Sequence, residues 1–597
     1  MNSPEGSYLF FPDNAVLLQA LNKDARFGKS LLFQNPVAVV RADAVDDVLN
    51  ALHGAEAWLA QGYHIAGYVA YEAGYAFEER FAGYRNSTAD GPLVWFGVYR
   101  HPEPVEAFSM NSPGCPCRFH IVHQSFEVYA EAVRRIRDYI ESGDVYQVNY
   151  TYRVLLDAVK DPFAVYGALR RAQRAEYAAF VRHGGRSILS LSPELFFHVA
   201  DGAITTRPMK GTARRGRTSS EDRALSAALH ACPKNRAENT MIVDLLRNDL
   251  GRICETGSVL IESMFDIERY ETLHQMTSTV TGLLRKSVSL AGIFQNLFPS
   301  GSVTGAPKIR AMEVIHELED APRGIYTGAI GYAAPDGDML FNVAIRTIVA
   351  EKERSELGLG SGIVWDSNDE EEYRECLIKA GFLENAVSAY SSFNLVETLR
   401  YENGFPLLEL HLDRLAASAD YFGFIFSRER TRVGLLSFVP QPDSPAPQRV
   451  RLMLARDGTV AIETTQLEET QNLPVRVGIC DKRVDSGDVF LYHKTTRRDF
   501  YTTELKSAQE QGLFDVIFLN ERGEITEGCI TNVFIEKNSR LMTPPVTSGL
   551  LGGVWRRHVL LTNPEAREAV LTLNDLQTAD RVFLCNAARG MMPAVLL

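Results

Sequence analysis

The chain has 597 residues, 45% of them hydrophobic and 23% charged, with a formal net charge of −13. That length is too great for one hydrophobic core and suggests roughly three or four domain-sized units. The acidic balance argues against general nucleic-acid binding, and no apolar run approaches the roughly 18–20 residues that span a membrane.

The opening MNSPEGSYLFFPDNA has no basic stretch followed by an apolar one, so it does not read as a signal peptide. The eight cysteines are scattered. Only Cys115 and Cys117 are close, at a spacing that suits neither a zinc site nor a redox pair, so the expected setting is a reducing cytoplasm.

Residues 1 to about 120 alternate apolar strands with small helices, and Gly62–Glu78 reads as a strand entering a turn. His101–Cys117, rich in Pro, Ser and Gly, reads as an excursion. Phe126–Ser142 has helical periodicity, with Val133, Ile136, Tyr139 and Ile140 on one face. Strand and helix signals then alternate to about residue 386, where AVSAYSSF marks a break. Beyond it FNLVETLRYENGFPLLELHLDRL predicts a strand, an Asn403-Gly404 hairpin turn, a second strand and a helix. Gln441–Gln448 is a Pro-rich loop. The expected fold class is α+β: a large body with an N-terminal subregion (1–120) and a catalytic region (121–386), then a smaller body (387–597).

Chemistry-bearing clusters punctuate the first body. TTRPMKGTARRGR places Lys210 among Arg207, Arg214, Arg215 and Arg217. Crowded positive charge disfavours a protonated amine, and a free amine is a nucleophile. Taken alone, the stretch also reads as a solvated basic loop. SPELFF sets Glu194 at a strand start, where a carboxylate is commonly a cap, and ENTMIVDLLRNDLGRIC reads as a helix opening on Glu238. Gly301 and Gly305 followed by Lys308 have the outline of a phosphate loop without its Gly-Lys-Ser/Thr, so they do not read as a nucleotide site. Arg346 interrupts an apolar strand, and Gly358–Ala380 joins a glycine turn to an acidic helix. Glu372 and Glu375 share a helix face, and with Glu238 they offer the oxygen ligands that Mg²⁺ prefers.

In the second body, FLYHKTTRRDFY places Lys494 after a short strand, EITEGCITNVFIE places Glu527 before Gly528, and TSGLLGGVWRR is a glycine turn opening a helix, a natural phosphate site. A surface lysine and an ordinary turn are the plain alternatives.

Taken in order with SGDVYQVNYT, the motifs of residues 60–385 resemble the chorismate-utilising family of anthranilate, isochorismate and aminodeoxychorismate synthases. The resemblance implies a β-sandwich-like α/β body. In the family the anthranilate branch resembles PIAGT where this chain reads RPMKGT, so Lys210 points to the branch that forms 4-amino-4-deoxychorismate. It also implies these roles: Glu238 and Glu375 hold Mg²⁺, with Glu372 assisting; Arg346, Tyr326 and Lys379 and the backbone near Gly360 and Gly362 hold a carboxylate; Ser302 and His274 contact substrate; Glu194 is a general acid; Lys210 is the nucleophile. Asn235 departs from the acid usual in relatives. No cysteine has the glutaminase setting, so a separate glutamine amidotransferase or free ammonia is expected.

With ETLR, HLDRL and CNAARGMMPAV, the second body resembles class IV aminotransferases and their aminodeoxychorismate lyase branch. That resemblance implies pyridoxal 5'-phosphate carried by Lys494, with Glu527 at its pyridine nitrogen. Arg414, Val554, Trp555 and Asn586 would hold its phosphate, and a homodimer is implied. This half starts almost at ETLR, and Gly552 stands where relatives have proline. The reading is thus a two-step route from chorismate to 4-aminobenzoate, for folate synthesis. The alternatives are an anthranilate or isochorismate synthase fused to an amino-acid transaminase, and a C-terminal half that serves only as a structural module.

Overall fold

The computed structural model describes residues 11–20, 30–85, 90–105, 119–173, 175–270, 273–383, 393–437, 447–468 and 473–597. Residues 106–117 of the His101–Cys117 excursion, 386–392 of the break that ends at Phe393 and most of the Pro-rich loop lie outside them. Two compact units emerge: Met1–Arg215 with Ser226–Ser391, and Gly216–Leu225 with Ser392–Leu597.

The first unit contains two largely antiparallel sheets. In one, the order is Gly305–Ala306, Gln147–Leu156, Ser355–Ile363, Thr347–Ala350, Arg186–Ser192, Tyr177–His183, Ala15–Gln19, Leu31–Phe33 and Glu103–Pro104. In the other it is Met209–Arg214, Leu273–Leu283, Ala203–Arg207, Leu195–Ala200, Met339–Val343, Ala329–Ala333, His64–Val69, Val94–Tyr99 and Ala38–Ala42, with Leu260–Arg269 also on Leu273–Leu283. Strands from before residue 120 thus complete both sheets. Apolar side chains of the two sheets meet in a shared core, where Val16, Phe33 and Ile188 of one sheet join Tyr68, Trp95 and Ile330 of the other. This is sandwich packing. Buried polarity is paired within it: Tyr68 and His183 are hydrogen-bonded at 3.1 Å, and Trp95 stacks on His183 at 4.5 Å.

The chain crosses between the sheets twice near one place. Ser192–Leu195 leads from the first sheet to the second, and Val343–Thr347 leads back. Glu194 and Arg346 lie on these crossings. Arg346 has φ +49°, an unusual backbone state for a branched-charge side chain, held by its carbonyl accepting from Leu191 N–H at 3.1 Å.

The second unit holds a three-stranded sheet, Leu395–Tyr401, Gln448–Leu454 and Val460–Gln466, and an eight-stranded mixed sheet. In the latter Val475–Val484 runs parallel to both Asp515–Asn520 and Gly590–Leu596. The hairpin expected at Asn403-Gly404 is absent. The turn leads straight into the Leu408–Phe422 helix, and Leu395–Tyr401 pairs instead with Gln448–Leu454. The residues after the turn, LLELHLDRL, carry helical spacing that buries His411, Leu412 and Leu415.

Candidate active sites

Where the crossings meet, a cavity of about 160 Å³ is lined by four carboxylates, Glu194, Glu238, Glu372 and Glu375, and four cations, Lys210, Lys234, Arg346 and Lys379. Ser302, Gly360 and Gly362 line it too. The helix Asp369–Ala380 supplies Glu372, Glu375 and Lys379 from one face, and its acidic first turn suits the positive end of the helix dipole. Pro233–Gly251 supplies Lys234 and Glu238, again one turn apart.

Lys210 owes its aim to an irregular strand. Register between Met209–Arg214 and Leu273–Leu283 shifts between Met209 and Thr212, a bulge of the kind that re-aims a side chain. Burial pushes the Lys210 amine below its ordinary range, opposed by Glu238 and reinforced by Lys379. The expectation that four arginines do this is corrected. Arg207 is paired with Glu176 and Glu268, Arg214 donates to the Arg215 carbonyl, Arg215 to the Tyr270 carbonyl, and Arg217 is paired with Glu221.

Burial raises the Glu194 carboxyl to about 7, against the pull of the Ser302 hydroxyl and the Lys210 charge. Burial alone would raise Glu375, but Lys379, 2.7 Å away, holds it below the ordinary carboxylate range. Burial likewise raises Glu238, with Lys210 and Lys234 opposing.

Not every expected residue reaches this cavity. His274 is buried in its strand while its neighbour Gln275 lines the cavity, donating to the Gly211 carbonyl at 2.9 Å. Tyr326 lines a separate space of about 330 Å³, its ring packed against Gly358. That space is larger, but Glu194 and Lys210, whose pKa values burial shifts, line the smaller cavity. Lys308 is consumed by Asp249 at 2.7 Å and the Leu297 carbonyl at 2.8 Å, in keeping with the rejected phosphate loop. Sequence reasoning missed Lys234, Gln275, Asn149 and Thr212; helical spacing from Glu238 was the available signal for Lys234.

In the second unit, burial and the charges of Arg498 and Arg414 lower Lys494 to about 7, and burial raises Glu527 to about 7. Glu527 accepts from Tyr501 at 3.3 Å and Asn532 at 3.2 Å. The helix Val554–Thr562 starts without a side-chain cap, leaving its first N–H groups for an anion. A Cβ on Gly553 would lie 1.8 Å from Asn532 Oδ1. Among the described residues, His411 Nε2 and Trp555 Nε1 are buried without hydrogen-bond partners. These features fit a phosphorylated aldehyde cofactor. Arg414 reaches the Gly552 carbonyl at 3.5 Å, but Glu397 takes two of its nitrogens, at 2.9 and 2.6 Å. Asn586 mainly caps its own turn, accepting from Ala588 and Arg589. A Cβ on Gly552 would meet only Val546, at 3.9 Å, an ordinary contact. Arg498, overlooked in the sequence, donates to the Cys529 carbonyl at 2.8 Å and stacks 4.5 Å from the Tyr501 ring.

A two-sheet body with an acid–base cavity at its crossings, followed by a lysine-centred α+β unit, defines a two-domain enzyme architecture. Residues 118–385 match the family model of chorismate binding enzymes, and residues 394–597 match that of the amino-transferase class IV family. Over 253 residues it is 44% identical to an aminodeoxychorismate synthase of Streptomyces pristinaespiralis, covering 42% of this chain and 35% of that protein. Over 259 residues it is 42% identical to an anthranilate synthase component 1 of Haloarcula marismortui, covering 43% and 52%. The crystal structure of anthranilate synthase component I from Streptococcus pneumoniae matches 64% of this chain and 95% of that one, at 27% identity and a TM-score of 0.51. The chain thus spans about a third to a half of the length of these curated relatives. The two identities are nearly equal, so the choice between chemistries rests on the site.

Proposed function

We propose that the first unit converts chorismate and ammonia to 4-amino-4-deoxychorismate, and that the second converts that product to 4-aminobenzoate and pyruvate. The observation that carries the first step is the Lys210 amine, on a half-buried side chain, in one cavity with Glu194, whose carboxyl is raised to about 7. Lys210 attacks ring carbon 2, both ring double bonds shift, and the 4-hydroxyl leaves as water with the Glu194 proton. Ammonia then adds at carbon 4, both double bonds return, and the Lys210 amine departs. Arg346 and Lys379 hold substrate carboxylate. Glu238 and Glu375, with Glu372, would hold Mg²⁺, which supplies charge neutralisation of the ring carboxylate. The cavity's formal charges cancel, four against four, so a dication and a dianionic substrate enter together without net charge.

In the second unit pyridoxal phosphate, when bound, supplies an electron sink for the carbon bearing the amine. Glu527 and the start of Val554–Thr562 would hold its two ends. Lys494 takes the proton from carbon 4 as the enolpyruvyl oxygen leaves, and the ring becomes aromatic. A separate glutamine amidotransferase as ammonia source, a cytoplasmic setting and a dimer through the second unit belong to the same reading. No helix among the described residues is long and apolar enough to cross a membrane.

The deciding assay is product identification from the purified protein with chorismate, ammonium and Mg²⁺, with and without pyridoxal phosphate. The expected product is 4-aminobenzoate with the cofactor and aminodeoxychorismate without it. Anthranilate or isochorismate would reject the first step.

A further inference from the structure

The three carboxylates assigned above to Mg²⁺ are already compensated. Glu375 is 2.7 Å from the Lys379 ammonium, which also donates to the Gly360 carbonyl at 2.9 Å. Glu372 accepts from the Ser367 hydroxyl at 2.8 Å and lies 3.6 Å from Lys234 Nζ. Lys234 sits four residues before Glu238 on the same helix face, so a single ammonium serves acids from two helices. Among the described residues no three acid, imidazole or thiol side chains converge as a metal cage would.

The two lysines are held differently. Lys379 has two short bonds, one of them to backbone. Lys234 has one longer contact, and its side chain is 40% exposed. Lys379 is therefore fixed, whereas Lys234 can swing into water at small cost. A dication arriving among these acids meets the Lys234 charge at close range, where like charges repel strongly.

We propose that Lys234 is the resident counter-ion of the acid cluster and that Mg²⁺ binds by exchange with it. The ammonium leaves Glu372 for solvent as the metal takes its place, and no covalent bond changes. The exchange keeps the acids apart from one another's repulsion while metal is absent, and it weakens Mg²⁺ binding by the free protein. It rests on the metal reading of Glu238, Glu372 and Glu375.

Isothermal titration of Mg²⁺ into the full-length protein, without substrate, tests it. Lys234→Met is expected to bind Mg²⁺ about fivefold more tightly, the upper range for one partly exposed charge pair. Lys234→Arg, which keeps the charge, stays close to wild type. Thermal melting checks the fold, and Lys234→Gln replaces the methionine variant if that one is unstable. Unchanged or weaker binding by the neutral variants, with wild-type binding intact, overturns the exchange alone. No Mg²⁺ binding by any of the proteins overturns the metal reading beneath it.

Discussion

At the residue scale the two reactive groups of the first cavity depend on burial, which moves an amine and a carboxyl in opposite directions. As the proposed general acid, Glu194 works only while protonated. With its carboxyl at about 7, the protonated form prevails below that pH and is lost above it. At constant free ammonia, the turnover number for aminodeoxychorismate formation should therefore fall as pH rises through about 7. Glu194→Gln should lose roughly 10²- to 10⁴-fold in turnover, the usual worth of a general acid, and its residual rate should lack that limb. A variant that keeps the limb would assign it to another group. The motif around Lys210 was legible in the sequence, but the groups that shift its amine were not. Sequence shows which charges neighbour a lysine along the chain, and the four arginines turn elsewhere. The groups that act on it, Glu238 and Lys379, come from distant helices.

At the scale of elements, the strand Ser355–Ile363 explains why glycines face the cavity. The resemblance implied that the backbone there holds a carboxylate. The structure adds that Gly360 and Gly362 are both closely approached, by different groups. A Cβ on Gly360 would lie 2.3 Å from the Tyr150 carbonyl oxygen, which belongs to the paired strand and cannot yield. A Cβ on Gly362 would lie 2.4 Å from Gln147 Nε2 and 2.8 Å from Lys210 Nζ, both ends of flexible side chains. Gly360→Ala should therefore destabilise the fold by about 1–3 kcal/mol, the cost of overpacking against a fixed neighbour. Gly362→Ala should melt close to wild type yet lose most aminodeoxychorismate synthesis, because Lys210 must move aside. Thermal melting and the product assay on the same two preparations check both halves. Equal melting temperatures would show that the paired strand yields after all. The missed hairpin after Asn403-Gly404 belongs to this scale as well. A local turn signal was read as sheet pairing, but the partner strand, Gln448–Leu454, lies more than forty residues on. Pairing at that distance leaves no local trace.

At the scale of the molecule, the boundary between chemistries was legible because the motifs change kind near residue 390. The weave of the first unit was not. His64–Val69 pairs with Ala329–Ala333, and Ala15–Gln19 with Tyr177–His183, so residues before 120 are built into both sheets rather than set apart. The two reactive lysines fall in separate compact units, and this permits a test that neither unit allows alone. Lys210→Ala should make no aminodeoxychorismate but still convert supplied intermediate. Lys494→Ala should accumulate the intermediate and form no 4-aminobenzoate. Mixed together with chorismate, ammonium, Mg²⁺ and pyridoxal phosphate, the two variants should restore 4-aminobenzoate after a lag, because the intermediate made by one molecule must diffuse to the other. The lag should shorten as total protein rises, and wild type should show less of it at equal site concentration if the intermediate passes within one molecule. Failure of the mixture, with each variant folded and each partial reaction intact, would mean that released intermediate cannot reach the second site. Restoration without either partial reaction would instead remove Lys210 and Lys494 from the roles given them here.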